Sequence, residues 1–270
     1  MVTSYFTASG QGFDPTPYAQ SHWGDDHLNG PAVVGLAAWA LEKECGSAEF
    51  QPARLTVDLL RAARDTHTTV QVEVVRQGRR VHSAHCHVLQ NGHIVARATL
   101  LQFQPSAPPP GELWSSGDTF PAAPVPDEAT YPYVGSDAAG WTRSPAGQQN
   151  NSRKRFFNDS LSIVAGQRNS PFVRAATLAE ATSLVTNLGT AGIGYINGDL
   201  TVALSRLPVD EWIGVQAASH HAAAGIAVGT ATLFDRLGAF ASGMTTAVAN
   251  PAAQIDFSAR DFRLEGINYE

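Results

Sequence analysis

Cysteine is scarce: the 270-residue chain carries two, Cys45 and Cys86, far apart in sequence. Two scattered thiols exclude a disulfide-stapled scaffold and a structural zinc site. Charge is sparse too, at 16% of residues, and 18 Lys+Arg against 24 Asp+Glu leave a net charge of -6. A nucleic-acid partner would need a basic face that this balance does not supply. Long hydrophobic runs are missing: Pro31–Leu41 is the longest, about half the ~20 residues of a membrane-spanning helix. No basic segment followed by an apolar stretch opens the chain, so the sequence predicts neither a secretory signal nor a membrane span, and a cytoplasmic location.

What is present suits a large buried core, with 43% hydrophobic residues in a length that fits one large domain or two ordinary ones. Half of the 16 prolines fall between Pro105 and Pro132. Proline removes backbone donors and favours extended chain, so 105–144 reads as a surface linker between an N-terminal unit, 1–104, and a C-terminal unit, 145–270. The two units repeat one another. Residues 54–61 read RLTVDLLR and residues 199–206 read DLTVALSR, an offset of 145. A helix precedes each: 31–45 after Gly30-Pro31, and 171–188 after Ser170-Pro171, with proline suited to the first turn and Gly46 and Gly189 to the stops. Alternating strands follow each. Val81–Leu89 and Ile94–Phe103 flank Gln90-Asn91-Gly92, a strong hairpin signal. In the second unit Trp212–Ser219, Ile226–Phe234 and Ala239–Val248 form the corresponding set. The first helix is apolar nearly all round, so it is buried on most sides. The expected fold is α+β, a double hotdog in which two antiparallel sheets each wrap one helix.

The stretches HLNGPAVVGLAAWALE (27–42), ARLTVDLLR (53–61), RQGRRVHSAHCHVLQNGHIVARAT (76–99) and INGDLTVALSRLPVDEWIGVQA (196–217) resemble double-hotdog acyl-CoA thioesterases of the acyl-CoA thioesterase II type. The resemblance implies hydrolysis of an acyl-CoA to a free acid and CoA, with no metal or redox cofactor. In that family an Asp, a Ser or Thr, and a Gln orient and activate a water. The Asp falls on Asp199; the other two positions fall on His220, beside Ser219, and on Thr245. The chain therefore keeps one of the three groups and replaces two. A thioesterase fold that binds acyl-CoA without turning it over is the alternative. A hydratase is excluded, because the residue five after Asp199 is Leu204 and five after Asp25 is Gly30, where histidine would be required.

Thioester hydrolysis needs a base for water and a donor for the oxyanion. Asp199 is the base candidate, though it also suits a solvated strand end or a pair with an arginine. His220 could orient the water, since imidazole titrates near neutrality, and His221 would point to the other face. The helix start supplies the oxyanion donors: Pro31 has no N–H, leaving Asn29, Gly30 or Ala32. The complete site is expected where that start meets Asp199, with a degenerate mirror site where Arg54 meets Ser170-Pro171. Arg79 and Arg80 could meet CoA phosphates. His82, His85, His87 and His93 with Cys86 lack zinc-like spacing and read as a polar sheet face with Cys86 turned inward. The sequence leaves a homo-oligomer open.

Overall fold

The computed structural model describes residues 3–125 and 132–258; residues 126–131 of the expected linker and 259–270 of the expected C-terminal unit lie outside them. The N-terminal half runs β1 (Ser4–Ser9), β2 (Gly12–Pro15), β3 (Gln20–Ser21), β4 (Gly24–Leu28), α1 (Gly30–Cys45), β5 (Gln51–Leu59), β6 (Thr68–Gln77), β7 (Val81–Gln90) and β8 (His93–Phe103). The C-terminal half runs β9 (Tyr133–Ser136), β10 (Lys154–Asp159), β11 (Ser162–Val164), α2 (Pro171–Ala179), α3 (Ala181–Asn187), β12 (Leu188–Gly189), β13 (Gly192–Ile193), β14 (Tyr195–Asn197), β15 (Asp199–Leu204), β16 (Trp212–Ala223), β17 (Ile226–Asp235) and β18 (Gly238–Ala249).

The two repeated strands meet at the centre of the molecule. β5 and β15 pair antiparallel, Leu55 opposite Val202 and Asp58 opposite Asp199, and so fuse the halves into one 14-stranded sheet. Its order is β11-β1-β2-β6-β7-β8-β5-β15-β18-β17-β16-β10-β9, with β14 on β18. The two sheets join side by side, as expected; the correction is that the joined sheet is mixed rather than wholly antiparallel, because β1 pairs parallel with β11, Ser4 opposite Ser162. That pair joins segments distant in sequence, so no local turn signal announces it. Tyr133–Ser136, inside the expected linker, pairs with β10. The β7–β8 hairpin turns on Asn91 and Gly92, at φ 50° and 76°, the left-handed geometry that an Asn-Gly pair adopts readily.

α1 packs on β6, β7 and β8 and against α2, while α3 packs on β16, β17 and β18. Val33, Val34, Leu36, Ala37, Ala38 and Leu41 of α1 are buried. Burial of each larger aliphatic side chain contributes about 1.5–3 kcal/mol. On the facing strands alternate residues turn inward: Ala84, Cys86 and Val88 on β7, and Leu200, Val202 and Leu204 on β15. The second helix is interrupted at Glu180. Just before it, Thr177 donates its hydroxyl to the Val173 carbonyl (2.8 Å), a back-bond that bends helices, and the Glu180 N–H bonds three residues back to Thr177.

Candidate active site

A cavity of about 620 Å³ opens between the halves. Its walls are the start of α1, the β3–β4 hairpin, the Leu59–Ala63 loop, Glu180 and Leu184, Tyr195–Gly198 of β14 and its turn, and Ile255 with Phe257. A wider hollow of about 900 Å³ lies between Phe120 and Trp212. There Asp118, Asp210, Glu211 and Asp235 are held by Ser116, Arg236, Arg168 and Arg206 in turn. The four acidic side chains of that hollow are all paired, and the smaller cavity is the candidate site.

The start of α1 is built for one purpose-free amide. The Asn29 side chain accepts from the Ala32 N–H (2.9 Å) and donates to the Tyr18 and Gln20 carbonyls (2.9 and 3.1 Å), while the Asn29 N–H donates to Ala19 O (2.7 Å). Pro31 has no N–H. Of the three expected donors, Asn29 and Ala32 are thus engaged, and only the Gly30 N–H has no acceptor among the described residues. It sits at the positive end of the helix macrodipole.

Glu180 stands against Gly30, the first residue of that helix. A Cβ at Gly30 would collide with the Glu180 carboxylate, so only glycine permits the approach. Asn197 Nδ2 donates to Glu180 Oε1 (3.0 Å). Glu180 is half-buried, with part of its surface open to the cavity. Burial pushes its carboxyl up from 4.5 to about 7, against the smaller opposing pull of the Asn197 hydrogen bond. The Tyr5 phenol is raised by burial and, secondarily, by the same carboxylate. A carboxyl poised near neutrality beside an unpaired helix-end amide can take a proton from water while the amide receives developing negative charge.

The residues singled out from the sequence lie around this pair in different ways. Asp199 is not a cavity wall, although Asn197 and Gly198 are. Strand parity explains its position: Leu200 and Val202 take the core side, so Asp199 shares the outer face with Thr201, whose hydroxyl meets that of Thr56 (3.1 Å). Asp199 Oδ1 accepts from the Thr246 N–H (2.5 Å). Thr245, 2% exposed, donates its hydroxyl to the Asp199 carbonyl (2.8 Å). His220 is exposed and its ring meets cavity-lining Tyr195 edge-on at 6.2 Å. All three therefore flank β14 and the turn that presents Asn197.

Arg79 and Arg80 occupy the exposed β6–β7 turn, whereas the cavity's Leu60 bonds Val95 near the other end of β8. The ten-residue strand β7 spans that distance, roughly 30 Å. His82 stacks on Phe50 at 3.5 Å, and no group of three or more metal-ligating side chains occurs among the described residues. At the mirror position, Glu42 rather than Arg54 lies beside Ser170 at the start of α2. Sequence reasoning missed Glu180 and Asn197. The signal for Glu180 was there: it is the sole acidic residue between Pro171 and Gly198, in an otherwise Ala-rich apolar helix.

Fold and site together define a hotdog-type protein with a carboxylate packed on the first residue of a helix across the junction of two repeats. Residues 19–103 match the profile of the Acyl-CoA thioesterase N-terminal domain, and residues 105–248 that of the Acyl-CoA thioesterase C-terminal domain. The chain belongs to the acyl-CoA thioesterase family. Among solved structures it is similar to a tesB protein of Mycobacterium avium subsp. paratuberculosis, with 16% identity, 91% of this chain and 96% of that one covered, and a TM-score of 0.63. A hot dog fold protein of Alicyclobacillus acidocaldarius gives 15% identity, 91% and 95% coverage, and 0.64. The acyl-CoA thioesterase II TesB2 of Mycobacterium marinum gives 18%, 84% and 91%, and 0.60. These likenesses establish the fold. No curated protein matches the sequence. No helix among the described residues is long and apolar enough to cross a membrane.

Proposed function

We propose that the chain hydrolyses acyl-CoA thioesters in the 620 Å³ cavity, with Glu180 as general base and the Gly30 N–H as oxyanion donor. The observation that carries this is the Glu180 carboxylate packed against Gly30, the residue whose N–H is unpaired at the α1 start. The ionised carboxylate takes a proton from a water, and the water oxygen bonds to the thioester carbonyl carbon. Negative charge forms on the carbonyl oxygen and is received by the Gly30 N–H and the helix dipole. Collapse breaks the C–S bond, and the proton on Glu180 passes to the departing sulfur. The products are a free acid and CoA.

Asn197 orients Glu180. Asp199, the base that the family resemblance implies, acts in this proposal as a positioning residue: with Thr245 it fixes the strand crossing that presents Asn197. Thiol release separates the two roles. Glu180→Gln is expected to lose 10²–10⁴-fold in kcat, the usual worth of a general base. Asp199→Asn keeps an oxygen for the Thr246 N–H and is expected to lose roughly ten-fold or less. The reverse ranking would make Asp199 the base. Acyl-CoA affinity without turnover in the parent would instead make the chain a binding protein.

A further inference from the structure

Beyond the C-terminal family match, which ends at 248, the chain turns back and closes one side of the cavity. An apolar path leads there from the reacting carboxylate. Leu184 lies one helical turn after Glu180, on the same face. Ile193, a further cavity wall, pairs with Ile255 through two main-chain hydrogen bonds of 2.9 Å. The path ends on Phe257.

This segment is anchored rather than draped. Gln149 Nε2 donates to Asp256 Oδ1 (2.9 Å), and Gln149 Oε1 accepts from the Phe257 N–H (2.7 Å). Gln254 Nε2 donates to the Ala191 carbonyl (2.6 Å). The Phe257 ring meets the His22 ring of the β3–β4 turn edge-on, at 6.4 Å and 78°. Ile255 and Phe257 are 8% and 5% exposed. A side chain held at its backbone on one side and at its ring on the other forms a fixed stop.

We propose that Gln254–Ser258 is the end wall of an aliphatic acyl pocket and that Phe257 sets the longest acyl chain admitted. This rests on the hydrolase reading above. The test is kcat/KM over straight-chain acyl-CoAs from butyryl to palmitoyl, for the parent, Phe257→Ala and Phe257→Trp, each checked for a cooperative melt. Phe257→Leu replaces the alanine variant if that one fails to fold.

The smaller side chains are expected to move the length limit upward, with kcat/KM on the first rejected length rising roughly four-fold per methylene newly buried. Phe257→Trp is expected to move the limit down. A limit unmoved in both directions, in a parent that hydrolyses acyl-CoA with dependence on Glu180, overturns the wall and leaves the hydrolase reading standing. A parent inert on the whole series overturns the hydrolase reading instead. Calorimetric affinities for the same series then decide the wall: a shifted length preference in the variants supports it, and an unshifted one overturns it.

Discussion

Glu180, on the second repeat's helix, covers Gly30, the first residue of the first repeat's helix, so closely that any side chain at position 30 would strike its carboxylate. The contact crosses the junction that β5 and β15 create. Neither half alone has both groups.

That contact makes Gly30→Ala a sharp probe. Alanine keeps the N–H but pushes the carboxylate away from position 30, so the loss falls on geometry rather than on donor number. We expect thiol release to fall 10²–10³-fold, the range for losing one oxyanion donor, with the melting transition still cooperative. Activity within two-fold of the parent would mean that Glu180 and Gly30 do not act together.

Glu180 also carries a stability signature of definite sign. Its folded pKa, about 7, lies above the ordinary 4.5. Below 4.5 both folded and unfolded chains hold the proton and the group contributes nothing. Between 4.5 and about 7 the folded protein keeps a proton that the unfolded chain has released, so stability falls as pH rises. Above about 7 the full penalty is present. Glu180→Gln is expected to melt higher than the parent at pH 8 and level with it at pH 4. Equal melting at both values would mean that Glu180 is not desolvated.

A structural ion pair away from the site behaves in the opposite way. Asp235, with its side chain wholly buried, takes two bonds from Arg206 (2.6 and 2.7 Å) and one each from the Val209 and Leu237 amides. These bonds hold its carboxyl below the usual range despite burial. Its contribution is fully present above the ordinary carboxylate pKa and is lost as pH falls through the depressed folded value. Asp235→Ala is expected to lose about 1.5–3 kcal/mol in denaturant unfolding, because the charged hydrogen bonds from Arg206 are lost while its partly exposed guanidinium keeps the Leu207 and Gly238 carbonyls. A loss below about 0.5 kcal/mol would show that water replaces those bonds fully.

Much of this architecture was legible in the sequence. The LTV repeat located β5 and β15, the all-apolar helix located α1, and Asn91-Gly92 located a hairpin, because each depends on local pattern. The parallel β1–β11 pair was not legible, since it joins Phe6 to Val164 with no local signal. At the site, the helix start offered Asn29, Gly30 and Ala32 alike as donors; that the Gly30 N–H is the unpaired one depends on bonds of Asn29 and Ala32 that no local pattern encodes. Asp199 drew attention through its place in the repeat. The alternation D-L-T-V-A-L, with the aliphatics inward, already placed its side chain on the outer face. Glu180 is marked in the sequence only as the one acidic residue of its helix; its packing against Gly30 of the other repeat has no local pattern.

The pH dependence of kcat/KM, in the parent and in Glu180→Gln, tests the assignment of the base most directly. The account predicts that the parent's rate rises with pH through a midpoint near 7, as the Glu180 carboxyl releases its proton, and then levels. It predicts that the residual rate of Glu180→Gln shows no such midpoint. A profile in the parent that is flat across neutrality, or one with the same midpoint in Glu180→Gln, would contradict it.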